Sequence, residues 1–487
     1  MSAPLTHLAR TGRLDRFLIG GEWVAPLGTG SCMVVNPATE TEICHVPMGN
    51  ARDVDAAVTA ARDAFEGWSA HTPEDRAARL DRLADLMEDR AELLAACLTE
   101  EMGAAIASAR ALQVPLAVAH LRTACEVLRN FEFTSPRGTT AITHEPIGVC
   151  ALITPWNWPL YQITAKLGPA LAAGCTIVLK PSELAPLSAI LFAELVEEAG
   201  FPAGVFNLVQ GDGPGVGTAL ATHEGVDMIS VTGSTRAGVA VAKAAADTVK
   251  RVAQELGGKS PNVILPDADL DRAVSMGVAS GMRNLGQSCS APTRMIVPRA
   301  VLQEVEAIAA RAVSDIVVGD PTDPAATHGA IANRAQYERV IAIIEAGLSE
   351  GARIVAGGPG RPEGLTRGYF VRPTIFSEVR TDMRIAQEEI FGPVLCIIPY
   401  DDEEEAVRIA NDTVYGLGAH VQGRDMDRVR AVARRIRAGQ VLLNNPGWDP
   451  HAPFGGYKRS GNGREFGREG LLDYLEVKAI LGHFPVD

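Results

Sequence analysis

One cysteine stands in a segment whose composition suits a nucleophile. Cys289 lies in NLGQSCSAP, residues 284–292, where it follows a Gly-Gln pair and stands between Ser288 and Ser290. Most isolated cysteines are small buried hydrophobes, but these neighbours favour an exposed turn at the end of a helix. A thiolate in such a turn can attack a carbonyl carbon and form a tetrahedral adduct. The segment therefore predicts a thiol that takes part in catalysis.

A tetrahedral thiol adduct requires two further kinds of group. Its oxygen needs hydrogen-bond donors, and an asparagine amide together with a backbone N–H would suffice. If a hydride then leaves to a cofactor, the remaining thioester must be hydrolysed by water, for which a carboxylate can act as the base. Glu255 is the candidate base, because it ends the strand-like segment RVAQEL immediately before a Gly-Gly loop. A carboxylate at a strand end can also be structural or solvated, so this role depends on its surroundings.

The elements that must position these groups alternate between strand and helix from Gly148 onward. Apolar strands without polar alternation indicate a parallel sheet that is covered on both faces. A second α/β stretch begins at NVIL, residues 262–265, and runs to about residue 445. The strands of the first stretch are predicted at 149–154, 176–180, 205–209 and 228–232, with helices at roughly 160–173, at 187–199 and after Thr235.

Segments near the two ends of the chain lie outside this alternation. FLIGGEWVA, residues 17–25, predicts two short strands around a Gly-Gly turn. Two amphipathic helices follow, one around residues 54–65 and one from about Pro73 to Met102. HEPIGV near residue 144 and the tail from about Leu471 to Asp487 belong to neither α/β stretch. The tail sequence LEVKAILGHF alternates as an added strand would, and such a strand often pairs with another subunit.

Three predicted strand ends carry residues that suit a nucleotide, which in doubly wound sheets binds at the carboxyl ends of the strands. They are TPWNWP at 154–159, KPSE at 180–183 and GSTRAG at 233–238. The last places glycines and hydroxyls at a helix start, where backbone N–H groups favour a diphosphate, although such glycines can also serve tight packing. Glu183 would accept hydrogen bonds from two ribose hydroxyls and repel a 2′-phosphate, whereas Lys180 would tolerate that phosphate.

Composition and charge argue against several classes of partner. The chain has 487 residues and a formal net charge of −14, and its charges form no basic stripe that would suit nucleic acid or an anionic membrane. No uninterrupted apolar run reaches about 18 residues, and the N-terminus lacks the apolar region of a signal peptide. The eight cysteines form no CxxC or CxxH pair, so neither a zinc site nor a disulfide scaffold is expected. We therefore expect a cytoplasmic protein that binds no metal, nucleic acid or membrane.

The ordered set of motifs resembles the NAD(P)-dependent aldehyde dehydrogenase superfamily. In chain order the motifs are ITPWNWP, VTGSTRAG, ELGGKSPNVI, NLGQSC, QEEIFGPV and APFGGYKRSGNGRE, and the likeness runs from about Phe17 to the C-terminus. The resemblance implies an α/β fold that forms a homodimer or homotetramer. Its expected parts are a Rossmann-like cofactor domain (1–122 and 147–256), an α/β catalytic domain (257–469) and a small β oligomerisation arm (123–146 and 470–487).

The resemblance also implies roles for five catalytic residues. Cys289 matches the nucleophile, and Glu255 matches the general base for hydrolysis of the thioester. Asn157 matches the side-chain donor of the oxyanion hole, where it is paired with the backbone N–H of Cys289. Lys166 and Glu465 match a pair that the family places behind the base as a proton exit. For Glu465, a surface ion pair within GREFG is the alternative interpretation.

The same resemblance implies a cofactor site for NAD, with NADP also usable. Arg236 stands where many relatives carry an acidic residue, and a cation there could favour a 2′-phosphate, while Glu183 argues for NAD. In the family, Lys180 and Glu183 match the adenosine ribose site, Ser234 the pyrophosphate contact, and Glu389 and Phe391 the nicotinamide end. The implied cofactor residues are Thr154, Pro155, Trp156, Lys180, Ser182, Glu183, Gly233, Ser234, Gly238, Leu256, Glu389 and Phe391.

The substrate tunnel of the family would be lined largely by aromatic residues in this chain, which suggests an apolar or aromatic aldehyde. Arg283 stands six residues before the thiol, where succinic-semialdehyde-type enzymes carry an arginine for the substrate carboxylate. Their second arginine is replaced by Ala165, so a structural ion pair is the alternative role for Arg283. The implied substrate residues are Trp158, Tyr161, Gln162, Arg283, Ser288, Ser290, Trp448 and Phe454.

The predicted function is the oxidation of an aldehyde to its acid with NAD(P)+, by an oxidoreductase that passes through a thioester on Cys289. A CoA-acylating dehydrogenase is the alternative enzyme, but relatives of that kind generally lack the base that Glu255 supplies. A catalytically silent relative would be expected to lack Cys289, Asn157 or Glu255, and all three are present. A thiol hydrolase without a cofactor would not account for the strand-end motifs that suit a nucleotide.

Overall fold

The computed structural model describes residues 2–485 as a mixed α/β protein. The strands are short, and the central strands of the two large sheets are almost entirely buried. In chain order they are β1 Phe17–Ile19, β2 Glu22–Val24, β3 Gly30–Asn36, β4 Thr41–Met48, β5 Thr134–Arg137, β6 Thr140–Pro146, β7 Val149–Ile153, β8 Thr176–Lys180, β9 Phe206–Leu208, β10 Met228–Thr232, β11 Arg251–Glu255, β12 Pro261–Ile264, β13 Arg294–Pro298, β14 Arg353–Ala356, β15 Thr374–Ser377, β16 Val394–Tyr400, β17 Gly418–Gln422, β18 Gln440–Leu443, β19 Gly461–Asn462 and β20 Leu475–Ile480.

The α-helices connect and cover these strands. In chain order they are α1 Ala3–Thr11, α2 Ala51–Ser69, α3 Pro73–Asp89, α4 Ala91–Met102, α5 Ile106–Ser108, α6 Val114–Arg129, α7 Pro159–Ala173, α8 Leu187–Glu198, α9 Thr218–Thr222, α10 Thr235–Ala245, α11 Leu270–Met282, α12 Leu302–Ser314, α13 Arg334–Ser349, α14 Arg384–Gln387, α15 Glu403–Asn411, α16 Met426–Arg435 and α17 Gly467–Asp473. Short π segments lie at Ala109–Gln113 and Gly213–Gly217, and 3₁₀ turns at Ala246–Thr248, Arg283–Gly286, Arg299–Val301 and Lys458–Ser460. No helix within residues 2–485 combines the length and the apolarity that crossing a bilayer requires.

The first large sheet has the strand order β19-β11-β10-β7-β8-β9-β1-β2. Strands β7 to β11 run parallel, and β19, β1 and β2 pair antiparallel at the two edges. One face packs against a core that includes α3, α6, α7 and α8, and the other against α2, α9 and α10. Burial on both faces explains why the central strands are apolar without alternation. Their carboxyl ends meet at one edge, where the predicted nucleotide residues follow.

The second large sheet has the order β14-β15-β16-β13-β12-β17-β18 and is parallel except for β14. The chain passes from β11 in the first sheet to β12 in the second through residues 256–260, which are buried. Glu255 therefore ends a strand of one sheet, while the thiol loop follows α11, which packs on the other. This crossing brings the two predicted chemical groups to the junction of the sheets.

A small antiparallel sheet with the order β20-β6-β5 carries the end of the chain. Glu476 pairs with Glu145 in the register of β20 and β6. Beyond Leu475 the strand is exposed, including Val477 at 65% and the following Leu481 at 79% of their accessible surface. A separate hairpin is formed by β3 and β4.

The predicted α/β fold is confirmed, and the strands and helices of the first stretch lie within a few residues of their predicted positions. The predicted long helix from Pro73 to Met102 is wrong, because Arg90 breaks it into α3 and α4. Arg90 leaves helical geometry with φ −105° and ψ 15°, although no glycine or proline marks the break. Helix α6 continues through residue 122, where the first predicted domain segment ends. The boundaries of the three domains stay a prediction.

Candidate active site

The loop that carries Cys289 is shaped by three consecutive residues in the left-handed region. Asn284 and Leu285 both have φ 53°, and Gly286 follows with φ 67°. A side chain at Gly286 would collide with the backbone of Gly392, so glycine is required there for space as well as for conformation. Gln287 fixes the turn on both sides, since its amide donates to Asn284 O at 3.1 Å and accepts from Ala332 N at 3.0 Å. The thiol is thus held by a tightly specified turn.

Asn157 is the nearest predicted partner of this loop. Its side-chain Nδ2 donates to the carbonyl of Gln287 at 2.9 Å, and Asn284 Nδ2 donates to the carbonyl of Asn157 at 2.9 Å. The amide of Asn157 has two hydrogens, so one remains for a ligand. The backbone N–H of Cys289 makes no hydrogen bond to any group within residues 2–485. The two predicted oxyanion donors therefore belong to adjoining segments. Each has an N–H hydrogen that no group within residues 2–485 accepts.

The Gly-Gly loop after Glu255 packs directly on the thiol segment. A Cβ atom at Gly258 would collide with the carbonyl oxygen of Cys289, so only glycine allows this approach. Glu255 itself is 4% exposed, and neither of its carboxylate oxygens has a hydrogen-bond partner within the described chain. Burial raises the pKa of Glu255 well above its ordinary value, and the negative charge of Glu465 raises it further. The structure brings the candidate base and the nucleophile to one place.

Lys166 and Glu465 form a buried ion pair next to the base. Lys166 is fully buried, and the side chain of Glu465 is 8% exposed. The predicted alternative for Glu465, a surface ion pair, is therefore wrong. The positive charges of Lys166 and Arg464 oppose the rise in the pKa of Glu255. Charges of both signs therefore lie near the base, and no residue between 2 and 485 donates a hydrogen bond to its carboxylate.

The thiol of Cys289 is partly enclosed, whereas the sequence predicted an exposed turn. Burial raises the pKa of this thiol well above its ordinary value, and the negative charges of Glu389, Glu255 and Glu465 act in the same direction. The backbone N–H of Ser290 has a smaller, opposite effect. The thiol is enclosed because residues 255–258, from another part of the chain, pack over the loop that carries Cys289. These effects favour the protonated thiol over the thiolate.

Glu389 and Phe391 lie at the predicted nicotinamide end. Oε1 of Glu389 accepts a hydrogen bond from Gly258 N at 3.0 Å, which joins it to the loop that covers the thiol. Burial raises the pKa of Glu389 to about 7. Phe391 has φ 57°, and its ring meets the edge of Trp156 with ring centroids 5.4 Å apart. A ring ligand entering beside Gly258 would find a carboxylate on one side and two aromatic rings close by.

The predicted diphosphate site is the N-terminus of α10, at the carboxyl end of β10. Ser234 caps this helix by accepting from Ala237 N at 3.2 Å. Ser234, Arg236 and Ala237 are exposed, so the first turn of an 11-residue helix is open to a ligand. Gly238, one turn further, packs against the side chain of Leu256. An open helix start at a strand end suits a diphosphate.

Lys180 and Glu183 lie together at the predicted ribose site. Lys180 Nζ donates to the carbonyl of Gly211 at 2.7 Å and lies 3.4 Å from Oε2 of Glu183. Burial lowers the pKa of Lys180, while Glu183 keeps a third of its side chain exposed. Ser182 Oγ accepts from Leu184 N at 3.3 Å, which orders this turn. The exposed carboxylate and the open helix N-terminus together fit a dinucleotide laid across the strand ends.

The remaining predicted cofactor residues follow β7. Thr154 N donates to the carbonyl of Lys180 at 3.1 Å, and its buried hydroxyl has no partner within residues 2–485. Pro155 is partly buried, and Gly233 N donates to the carbonyl of Glu255 at 3.1 Å. The last bond ties the diphosphate turn to the strand that ends in the candidate base.

An aromatic wall, formed by Trp158, Tyr161, Phe454, Phe466 and His120, lies beside the thiol loop. Trp158 Nε1 donates to Ser288 Oγ at 2.9 Å, which anchors the wall to the residue that precedes the thiol. The rings of Trp158 and Tyr161 are 5.9 Å apart, and Phe454 stacks on Phe466 at 5.3 Å. Phe454 and Glu465 also exchange backbone hydrogen bonds at 2.8 and 2.7 Å. The wall and the proton-exit pair therefore share one segment of the chain.

Two residues of this wall, His120 and Phe466, were not anticipated from the sequence. His120 lies on the buried face of α6, one turn from Ala117 and from Ala124, and it is 4% exposed. An imidazole among the mostly apolar residues of the buried helix face was the signal that could have identified it. Phe466 follows Glu465 directly and is 6% exposed, but nothing in its local sequence indicates its position.

The other predicted substrate residues differ in their burial and in their contact with the aromatic wall. Trp448 is 45% exposed and touches the wall through His120, while Gln162 is buried. Arg283 is exposed and forms no ion pair with a carboxylate of residues 2–485, so the structural ion pair expected as its alternative role is wrong. Burial lowers the pKa of His420, on β17, to about 4, and the positive charge of Arg283 adds a smaller effect in the same direction. Ser290 is partly buried and lies opposite Gly418.

The sequence of the chain matches that of one known protein family. A sequence model described as the Aldehyde dehydrogenase family matches residues 23–480. The chain belongs to the aldehyde dehydrogenase family. It is accordingly an oxidoreductase of the NAD(P)-dependent aldehyde dehydrogenase type with a catalytic cysteine, as the sequence predicted.

Individual relatives in the family match over nearly the whole chain. A 3-succinoylsemialdehyde-pyridine dehydrogenase from a Pseudomonas species is 53% identical over 468 residues, which cover 96% of this chain and 98% of the relative. A crystal structure of a Cys-to-Ala mutant of Aldehyde Dehydrogenase C from Pseudomonas syringae, with NAD+ and octanal, is 63% identical with a TM-score of 0.97 and covers 98% of both chains. A mutant betaine aldehyde dehydrogenase from Staphylococcus aureus, with NAD+ and a BME-modified cysteine, is 36% identical with a TM-score of 0.92 and covers 97% of this chain and 98% of the other.

Proposed function

We propose that this enzyme oxidises an aldehyde to a carboxylic acid with NAD+ through a thiohemiacetal and a thioester on Cys289, and that Glu255 activates the water that hydrolyses the thioester. The observation that carries the proposal is the environment of Glu255. Its carboxylate is buried without a hydrogen-bond partner in the described chain, and the loop that follows it packs on the thiol segment. A buried carboxylate with a raised pKa suits a general base better than a structural anchor.

The first step forms a bond between the sulfur of Cys289 and the carbonyl carbon of the aldehyde. The thiol must lose its proton on attack, and the nearby carboxylates of Glu255 and Glu389 are the available acceptors. The carbonyl oxygen gains negative charge, which Asn157 Nδ2 and the N–H of Cys289 would hold. Donors that are already in place before the reaction stabilise such charge strongly, by about 3 to 4 kcal/mol for one donor.

The second half returns the enzyme to its free thiol. NAD+, when bound, accepts the hydride of the adduct, and a thioester remains on Cys289. Glu255 removes a proton from water as the water attacks the thioester carbon, and the sulfur leaves as a thiolate. Lys166 and Glu465, which are paired and buried beside Glu255, offer a route for that proton to leave the site.

The cofactor preference is proposed to be NAD, with NADP accepted less well. The open N-terminus of α10 and the partly exposed carboxylate of Glu183 support it, because that carboxylate would repel a 2′-phosphate. Relatives from Pseudomonas syringae and Staphylococcus aureus have been crystallised with NAD+. Arg236 is exposed in the first turn of α10 and is the feature that would make NADP usable.

The substrate is proposed to be an apolar or aromatic aldehyde, with a semialdehyde as the charged variant. The aromatic wall beside Ser288 supports an apolar body. One relative has been crystallised with octanal, and another is named for a succinoyl semialdehyde of pyridine, which is an alkyl aldehyde that carries an aromatic ring. Arg283, exposed and free of a carboxylate partner in residues 2–485, supports the semialdehyde variant.

We further propose that β20 mediates assembly into a homodimer or homotetramer. Exposed apolar side chains on and after this edge strand, among them Val477 and Leu481, support the proposal. An unpaired strand edge readily accepts a strand from another copy. Sedimentation of the intact protein before and after Val477→Lys tests it.

A panel of aldehydes that vary in length, aromaticity and terminal charge tests the proposed function. Formation of reduced nicotinamide is followed by absorbance with NAD and NADP in parallel, and the product is identified as acid or acyl-CoA in the presence of CoA. Acid formation that is lost in Cys289→Ser is expected. Undiminished oxidation by Cys289→Ser, or acyl-CoA as the main product, would contradict the proposal.

A further inference from the structure

The ring of His120 occupies an unusual position in the aromatic wall. It is 4% exposed, and its Nε2 atom has no hydrogen-bond partner within residues 2–485. Leaving a buried polar atom unpaired is unfavourable, and unpaired groups of this kind are rare in folded proteins. A phenylalanine would fill the same space without that cost. The retained nitrogen therefore requires an explanation.

The neighbours of His120 connect it to the reacting centre. Its ring lies 4.5 Å from Tyr161 in an edge contact and 4.3 Å from Phe466. Tyr161 contacts Trp158, whose indole N–H is bonded to Ser288, the residue before the thiol. His120 is thus connected to the thiol loop through the rings of Tyr161 and Trp158.

His120 also contacts a ring that is open to solvent. Trp448 approaches its ring edge-on at 5.4 Å and is 45% exposed. His120 consequently lies between the inner ring of Tyr161 and a ring that faces solvent. A ligand that entered past Trp448 would pass the imidazole before its aldehyde carbon reached Cys289.

The imidazole is neutral in this environment. Burial lowers the pKa of His120 to about 3, and no anion within the part of the chain that the structure describes compensates for the lost hydration. A neutral imidazole has one N–H and one bare nitrogen. With the proton on Nε2 it can donate one hydrogen bond to an uncharged acceptor, and it has no charge with which to attract a carboxylate.

From this position we propose that His120 determines substrate specificity by donating a hydrogen bond from Nε2 to a neutral acceptor in the tail of the aldehyde. A ketone carbonyl or a ring nitrogen several carbon atoms from the aldehyde carbon has the required chemistry. The inference rests on the proposed function, since it takes Cys289 as the atom that holds the aldehyde. It narrows the substrate class to aldehydes whose apolar body contains one uncharged polar group.

Two matched aldehydes and two variants test the proposal. One aldehyde has a phenyl ketone joined to the aldehyde group by two methylenes, and the other has a methylene in place of the ketone. His120→Phe keeps the aromatic volume and removes the nitrogen, whereas His120→Gln keeps an N–H donor. Binding is measured by calorimetry in the Cys289→Ala background with NAD+ present, so that turnover does not contribute.

We expect the ratio of the two dissociation constants to favour the ketone in the parent protein. The preference should fall about 10-fold or more in His120→Phe, because sites that pair a buried polar group discriminate strongly against analogues without it. It should stay within about threefold of the parent in His120→Gln. Equal binding of the two aldehydes by the parent, or an unchanged ratio in His120→Phe, would overturn the proposal.

Turnover of the same two aldehydes separates this inference from the proposed function. The enzyme with Cys289 intact should oxidise both with NAD+, and the kcat/KM ratio should follow the binding ratio. If binding discriminates as expected while neither aldehyde is oxidised, the assignment of His120 stands and the proposed function fails. If both are oxidised without discrimination, the proposed function stands and the role of His120 is refuted.

Discussion

The carboxylates of Glu255 and Glu465 lie in one buried cluster, but only Glu465 has a cation of its own. Lys166 pairs with Glu465, whereas neither oxygen of Glu255 has a hydrogen-bond partner in residues 2–485. Burial without a partner disfavours the charged form of a carboxyl group. The pKa of Glu255 is therefore well above its ordinary value, first through burial and then through the charge of Glu465. The ion pair beside it can receive the proton that such a base takes up.

Replacing the base should separate the two halves of the reaction. In Glu255→Gln we expect the first turnover to form reduced nicotinamide and the following turnovers to slow by about 10²- to 10⁴-fold, the range typical of a lost general base. A stopped-flow burst and mass spectrometry of the acylated protein measure both steps. Glu338→Gln, an exposed glutamate on α13, serves as the control and should show neither effect. Loss of the burst itself would assign Glu255 to the first step.

The same substitution should increase stability at neutral pH. The pKa of Glu255 is higher in the folded chain than in the unfolded chain. Ionisation of the unfolded carboxyl above its ordinary pKa consequently lowers the stability of the native enzyme as the pH rises towards the folded pKa. Glu255→Gln removes this loss, because the amide does not ionise. Its Tm should exceed that of the parent at pH 8 and approach it at pH 4, while equal differences at both pH values would contradict the argument.

Glu465 should set the acid limb of the pH–rate profile. Glu255 must be deprotonated to act, so hydrolysis is expected to increase as the pH rises through its pKa. Glu465→Gln removes a negative charge and leaves the positive charge of Lys166 uncompensated, and both changes lower the pKa of Glu255. The acid limb of kcat should therefore move to lower pH, measured with one aldehyde from pH 5 to 9. A shift to higher pH would show that Glu465 acts otherwise than through the charge of the base.

The elements that carry the site could be predicted from sequence because their signals are local. Apolar runs marked the parallel strands, and Glu255 was identified as a carboxylate at the end of one of them. Asn157 was assigned only through the resemblance to the family. The enclosure of Cys289 could not be predicted, because residues 255–258 reach the thiol only through the crossing between two sheets. His120 and Phe466 join the wall through packing of α6 against distant segments. The break at Arg90 has no glycine or proline to announce it, so a continuous helix was the natural prediction.

Arg283 should contribute modestly to the recognition of charged aldehydes. Its side chain is exposed, and ion pairs in water contribute about 0.2 to 1 kcal/mol. Arg283→Ala is therefore expected to lower kcat/KM for an aldehyde with a terminal carboxylate by at most about fivefold, with little change for the matched neutral aldehyde. Arg272→Ala, an exposed arginine on α11, controls for net charge. Equal losses for both aldehydes would refute a role in carboxylate recognition.

Glu389 should restrain the reactivity of the thiol before the cofactor binds. After burial, the charge of Glu389 is the largest cause of the raised pKa of Cys289. Removing this charge in Glu389→Gln lowers the thiol pKa, and the larger thiolate fraction at a given pH should accelerate alkylation. The rate of iodoacetamide modification at pH 8, followed by mass spectrometry of the peptide that contains Cys289, measures the effect.

The neighbouring Glu388 provides a matched control for this charge. It pairs with Arg384 at 2.8 Å and is not among the charges that raise the pKa of the thiol. Glu388→Gln should therefore leave the alkylation rate of Cys289 near that of the parent. Cys289→Ser gives the background from Cys32 and Cys44, which are partly exposed. If both glutamine variants were alkylated faster than the parent and to the same extent, local loosening of residues 388–392 would explain the result. The charge of Glu389 would then not control the reactivity of the thiol.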